Sequence, residues 1–274
     1  MRIRDSFTSM AVTRHFDDIR SKSAYTQRQM GAGETLITAK DDTANFSISQ
    51  RLRAQIESSQ RAVKNAQDGI TLMQEADGGI QSIVDNLQKA RSLAIYSASD
   101  AITDSDRATV NKEFQMYIDE INRQSQATNY NGKQLIDGTG EQSLKFHVGA
   151  NEADSISFNL PTVTADSLGV TGTSVATRED AENALSIFDT AVLRLGVTRS
   201  DIGAFVNRLE NAEGYTQIQN NNNSAANSKI KDIDIAEGSI AMAKEKIQYE
   251  AASVALSKSS SGNSAAAALL QLGI

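Results

Sequence analysis

Residues 73–94 read MQEADGGIQSIVDNLQKARSLA. Within them Met73, Ala76, Ile80, Ile83, Leu87, Ala90 and Ala94 recur at steps of 3-4-3-4-3-4. An α-helix brings residues three and four apart onto one face, so this spacing is an a/d seam kept over about three heptads. Asp77-Gly78-Gly79 weakens it locally, each glycine costing about 1 kcal/mol relative to alanine.

Outward from the seam, the helical pattern runs from about Thr43 to Ser99. Upstream, residues 2–30 carry Ile3, Phe7, Met10, Val12, Phe16 and Ile19, a helix whose stripe slips between Met10 and Val12. Gly31 and Gly33 interrupt it, and Asp41 or Asp42 is placed to cap the next helix. Downstream, residues 100–105 form a connection with Thr103, Asp104 or Ser105 as N-cap. Val110, Phe114, Tyr117 and Ile121 mark a further helix ending near Asn129-Tyr130-Asn131-Gly132.

The period then changes. Leu144, Phe146 and Val148 alternate with polar residues, as do Ile156, Phe158 and Leu160, across the turn residues 149–154. This is a hairpin at about 142–161 with one buried face. Residues 162–178, rich in Thr, Ser, Val and Gly, read as a short surface loop. Helix resumes at Glu179, with Leu185, Phe188, Val192, Leu195, Ile202, Val206 and Leu209 in heptad spacing and Arg199 in the one polar slot. Asn220 to Asn223 lie between helical stretches. Ile233, Ala236, Ile240, Ala243, Ile247, Ala251 and Val254 continue a seam, and residues 259–263 read as a break before a small apolar tail.

Composition narrows the function. The 274 residues contain 39% hydrophobic side chains but only 5% aromatic, one proline and no cysteine. A single proline, Pro161, permits long unbroken helices. Without cysteine there are no disulfides, thiolate nucleophiles or Cys-ligated metals. A net charge of −7 argues against a nucleic-acid binder. No run approaches the roughly 18 apolar residues of a membrane span, and the N-terminus has no apolar signal-peptide core. The expected fold is mainly α: an elongated antiparallel helical bundle or coiled coil with a small β-hairpin lobe.

Several stretches together resemble bacterial flagellin. On the N-terminal side they are residues 1–3, 39–42, 65–70, 87–94, 120–123 and 130–135, followed by 148–152 and 167–170. On the C-terminal side they are residues 207–210, 228–234 and 241–245. Each piece alone is weak, but in this order at both ends they are specific. The chain departs from the family pattern at Met30-Gly31-Ala32-Gly33 and in its proline-free tail.

The resemblance implies a subunit that polymerises into the filament of the bacterial flagellum and leaves the cell by the flagellar type III route. Residues 1–40 and 230–274 would form the inner core, with Ile3, Phe7, Met10, Ile233, Ile240, Ile247 and Val254 as polymerisation residues. Residues 41–229 would form the helical shell. Implied partners are the chain itself, an export chaperone, and filament cap and hook-junction proteins. The implied location is an extracellular flagellum, or a periplasmic one. In immunostimulatory flagellins the helix matched by 87–94 is gripped by the vertebrate Toll-like flagellin receptor. The matched positions are Gln88, Lys89, Leu93 and Glu113, with Lys89 where the pattern has arginine. The same residues also suit protofilament contacts. Hydroxyls expected to face outward, Ser155, Ser157, Thr162, Thr164, Thr171, Thr173 and Ser174, are candidate O-glycan acceptors.

Catalytic readings are poor. Lys40-Asp41-Asp42 is better explained by capping and turn structure, and His15 and His147 form no H-E-x-x-H motif. No enzyme activity, metal or cofactor is expected. The rival readings are a hook–filament junction protein and, in another class, a secreted coiled-coil translocator. The terminal apolar stripes cannot all be satisfied within one thin helical hairpin, which is why such a subunit would complete its packing only on assembly.

Overall fold

In the computed structural model every residue of the 73–94 seam is fully buried: Met73, Ala76, Ile80, Ile83, Leu87, Ala90 and Ala94 are all at 0% exposure. The structure describes the backbone of residues 2–140 and 143–271, and side chains over 10–140 and 143–258. The elements in order are α1 (Arg2–Ala32), α2 (Thr43–Ser97), α3 (Asp104–Ala127), β1 (Asn129–Tyr130), β2 (Lys133–Gln134), β3 (Ser143–His147), β4 (Ser155–Asn159), α4 (Arg178–Lys231) and α5 (Ile235–Gln271).

The chain forms two compact units, Gln55–Asn221 and Met1–Ala54 with Asn222–Ile274. Their boundaries fall inside α2 and α4, not at the turns near residues 40 and 230 that the sequence suggests.

In the Gln55–Asn221 unit the α2 seam packs with Phe114, Ile118 and Ile121 of α3 and Phe188, Leu195, Ile202 and Leu209 of α4. Phe114 and Phe188 meet with ring centroids 5.5 Å apart. Polar contacts fix an antiparallel register of α2 and α4: Arg91 with Asp189 at 2.7 Å, Arg199 with Asp77 at 2.7 Å, and Gln67 with Glu213 at 2.7 Å. Arg199, the polar slot of the α4 heptads, therefore meets Asp77 in the glycine-weakened turn of the α2 seam.

Thr103 is the N-cap of α3 in a full capping box. Its hydroxyl accepts from the Asp106 N–H, and the Asp106 carboxylate accepts from the Thr103 N–H. The helix ends in a tight hairpin that the sequence reading missed. Tyr130 pairs with Lys133 around Asn131 and Gly132, at φ 49° and 78°. Positive φ at both central residues is the type I′ geometry that Asn-Gly favours.

The longer hairpin matches expectation. β3 and β4 pair antiparallel, Leu144 opposite Phe158 and Phe146 opposite Ile156. Phe146 and Phe158 both stack on Phe205 of α4. Gly69 lies under this contact, because a Cβ there would come within 2.9–3.1 Å of Phe146 and Leu209.

Three sequence expectations need correction. Residues 162–178 are not simply a surface loop: Val163, Ala165, Leu168, Val170 and Val175 are buried. Polar side chains of α3 hold that backbone in place. Asn111 accepts from the Val175 N–H, Gln115 donates to the Thr173 carbonyl, and Asn122 accepts from the Ala165 N–H. The asparagine run 220–223 lies within an unbroken α4. Asparagine costs at most about 0.7 kcal/mol per residue in a helix, too little to interrupt a long cooperative one. The backbone of α5 likewise continues through residues 259–263 to Gln271. Glycine weakens that stretch, but the alanines at 265–268 favour helix and there is no proline to stop it.

Candidate interaction surface

In the unit containing the chain ends, α1 and α5 pack antiparallel. Phe16 stacks on Tyr249 at 4.9 Å, and a side chain on Gly238 would collide with Met30 Sδ. The inward face of α1 is Val12, Phe16, Ile19, Ser23, Thr26 and Met30; that of α5 is Gly238, Met242, Glu245, Tyr249, Ala252 and Leu256. Both repeat at 4-3-4-3-4 steps. The seam is unusually polar. Thr26 Oγ1 donates to Glu245 Oε1 at 3.0 Å, and Glu245 is only 3% exposed.

This face differs from the one the apolar residues suggest. Ile240, Ile247 and Val254 are 70%, 67% and 56% exposed. They stand two residues beyond Gly238, Glu245 and Ala252, about 200° round the helix, so they point away from α1. Ile233 is half-buried beside Gly238. Met10 is exposed, on the far side of the stripe's slip. Ile3 and Phe7 lie outside the described side chains.

The connections at residues 33–36 and 231–234 clasp each other. Gly33, at φ 72°, closes α1 by giving its N–H to Met30, while the Glu34 N–H reaches Gln29. Thr35 N–H then donates to the Lys231 carbonyl at 2.7 Å, and Lys231 pairs with Glu34 at 2.6 Å.

Of the two candidate caps, Asp42 caps α2, accepting from the Ala44 and Asn45 N–H groups at 3.0 Å. Asp41 instead folds back on its own loop. The Thr38 N–H, followed by the Tyr25 hydroxyl and the Ile37 N–H, holds its carboxyl below the usual carboxylate range despite partial desolvation. A depressed folded-state value stabilises the loop above the unfolded value and loses that effect as pH falls through the folded one. The Ile37 and Thr38 amide resonances should therefore shift together on acidification, at a pH below that of an unperturbed aspartate. Two amides that titrate independently would contradict their shared bond to the Asp41 carboxylate.

In the Gln55–Asn221 unit, Gln88, Lys89 and Glu113 are exposed and Leu93 is half-buried. Lys89 Nζ lies 5.8 Å from the centroid of Tyr117, one helical turn from Glu113 on α3. The structure thus brings Lys89 to the α3 face that carries Glu113. It also exposes Leu193 at 72% and Val197 at 64%, one turn apart on α4. Sequence reasoning passed over this pair because it lies off the heptad row; the i,i+4 apolar repeat is the signal that could have found it.

Among the candidate acceptors, Ser157, Thr162 and Thr171 are exposed. Ser155, Thr164, Thr173 and Ser174 are half-buried. Thr164 accepts from the Ser167 N–H, Thr173 donates to Val170, and Ser174 donates to Asn111. Among the described residues no helix is long and apolar enough to cross a membrane.

A paired set of terminal helices with an uncovered apolar row, and a long-helix core carrying a β-hairpin, define a helix-rich protein with exposed apolar rows. Residues 3–141 match the bacterial flagellin N-terminal helical region, and residues 185–272 match the bacterial flagellin C-terminal helical region. The chain is 31% identical to the flagellar filament core protein flaB2 of Brachyspira hyodysenteriae, over 88% of this chain and 90% of that protein. It is 30% identical to the flagellin of Halalkalibacterium halodurans over 89% of both. The crystal structure of Bacillus cereus flagellin superposes with a TM-score of 0.51 at 26% identity, covering 56% of this chain and 88% of that one. The chain belongs to the bacterial flagellin family. It is a structural subunit of the flagellar filament.

Proposed function

We propose that this subunit polymerises through the apolar row of α5 that its own α1 leaves uncovered. The observation that carries this reading is the outward placement of Ile240, Ile247 and Val254. A row of large aliphatic side chains in water is a cost that a neighbouring copy removes, at about 25 cal/mol per Å² of apolar surface buried. Heterologous contacts of one kind, repeated by every copy with a rotation that does not close, build an open helical lattice. In this reading Met10, with Ile3 and Phe7 before it, contributes from α1, and Leu193 with Val197 offers a second contact on α4. Deleting residues 1–30 or 240–274 should leave a soluble chain that does not assemble. Normal filaments from both truncations would overturn the proposal.

Export by the flagellar type III route follows from the same reading, as do a chaperone that shields the α5 row, and cap and hook-junction proteins at the filament ends. The final location is a flagellum outside the cytoplasm. The exposed hydroxyls Ser157, Thr162 and Thr171 are the best-placed acceptors for O-glycans. Secreted protein should be heavier than the bare chain; an intact mass equal to it removes this assignment.

Recognition by the Toll-like receptor is weakened, not lost. Gln88, Lys89 and Glu113 are accessible, but Lys89 is a point charge drawn towards Tyr117, where arginine would offer a planar bidentate fork. A charge-assisted hydrogen bond contributes about 1.5–3 kcal/mol, roughly 10- to 150-fold in affinity. Lys89→Arg should raise the potency of monomers by up to that factor in a receptor-reporter assay. Unchanged potency means that this substitution is not what limits recognition.

A further inference from the structure

The α1–α5 pair has two flanks of different chemistry. One holds a cavity of about 370 Å³ lined in part by Asp234, Glu237, Glu245, Lys22 and Lys244. The other holds a groove of about 470 Å³ whose charged lining is Arg20 and Lys246, beside Met242 and Tyr249. They lie on opposite sides of the pair. Arg20 and Lys22 are two residues apart on α1, as are Lys244 and Lys246 on α5, and two residues turn about 200° round a helix.

The cavity is net acidic, with three carboxylates against the two ammonium groups of Lys22 and Lys244, and one carboxylate oxygen in it is unpaired. Glu245 is 97% buried by its 3% exposure, and Thr26 satisfies its Oε1, but its Oε2 has no hydrogen-bond partner. A buried carboxylate oxygen without a donor is costly, and a cation is the group that relieves the cost most strongly. The opposite flank of the same pair presents two cations and no carboxylate.

We propose that, in the polymer, the Arg20–Lys246 flank of one copy seats against the Glu237–Glu245 cavity of the next and delivers a cation to Glu245. This rests on the reading that the chain polymerises, and adds which side of one subunit meets which side of its neighbour. The joint is heterologous, since the basic flank of one copy meets the acidic flank of another and never its own kind. It therefore gives the assembly a direction and sets the order of neighbours, while the apolar α5 row contributes affinity.

The test uses full-length chains with the charges reversed on one flank at a time. One variant carries Arg20→Glu with Lys246→Glu; the other carries Glu237→Lys. All three positions are exposed, so circular dichroism should show parental helix content in each monomer. Each variant alone should need about tenfold or more protein to polymerise, the loss expected when a charge-assisted contact is removed. An equimolar mixture of the two should polymerise at a clearly lower concentration than either alone, because in an alternating copolymer the reversed flank meets the reversed position 237 at one joint and the unchanged Arg20–Lys246 flank reaches Glu245 at the next. All three charge changes combined in one chain should assemble better than either single-flank variant but short of the parent, because the flank then pairs with position 237 and brings no cation to Glu245. Parent-like assembly of both single-flank variants overturns the proposal, as does a mixture no better than its components. The unmodified chain, run in parallel, separates this from the wider reading: if it fails to polymerise, polymerisation itself is refuted.

Discussion

Ile247→Asp should abolish polymerisation while leaving the folded monomer intact. Ile247 is 67% exposed on the side of α5 away from α1, so the substitution removes no packing within the chain, and surface changes of this kind stay within about ±0.5 kcal/mol. In an assembled filament the same position would be covered by a neighbour. A carboxylate buried there without a partner costs several kcal/mol. At about 1.4 kcal/mol per tenfold, a cost of about 4 kcal/mol raises the concentration needed for assembly roughly a thousandfold. Sedimentation of seeded and unseeded protein measures this, and circular dichroism reports the monomer. Filament yield equal to the parent's would show that the row is not an assembly contact.

Phe188→Ala should produce the largest loss of folding stability. Phe188 is at 0% exposure, stacked on Phe114, in the core that also holds Ile80, Ile83 and Leu87. Removing a buried phenyl ring costs about 3–5 kcal/mol through lost transfer energy and the cavity left behind. Domains are stable by only about 5–15 kcal/mol, so the loss is a large fraction of the total. Denaturant unfolding should show a lower midpoint with little change in slope. A change below about 1 kcal/mol would mean that the core repacks around the gap.

Residues differ in how openly they declare their place. The 73–94 seam is legible because large apolar side chains repeat at helical spacing and all of them turn inward. The α1–α5 seam is not, because it relies on Gly238 for close approach and on a buried Thr26–Glu245 pair, neither of which stands out in a hydrophobic pattern. The conspicuous apolar row on α5 faces outward instead. It is legible as a row, but its spacing does not distinguish a side chain packed on α1 from one left for a neighbouring copy. The 162–178 segment hides its buried valines among threonines and serines. What holds it is a set of hydrogen bonds from Asn111, Gln115 and Asn122, distant in sequence and ordinary in type. The candidate receptor residues are legible only through the resemblance, and the Lys89–Tyr117 contact depends on how α2 packs beside α3, which the spacing along either helix does not encode.

The most direct test of the account is a cryo-electron microscopy map of filaments grown from this chain alone, at a resolution that shows side chains. Ile240, Ile247 and Val254 should be covered by neighbouring subunits, with the Thr26–Glu245 seam of each subunit preserved. A filament in which those three side chains face open solvent, or in which α5 leaves its own α1 to pair elsewhere, would contradict it.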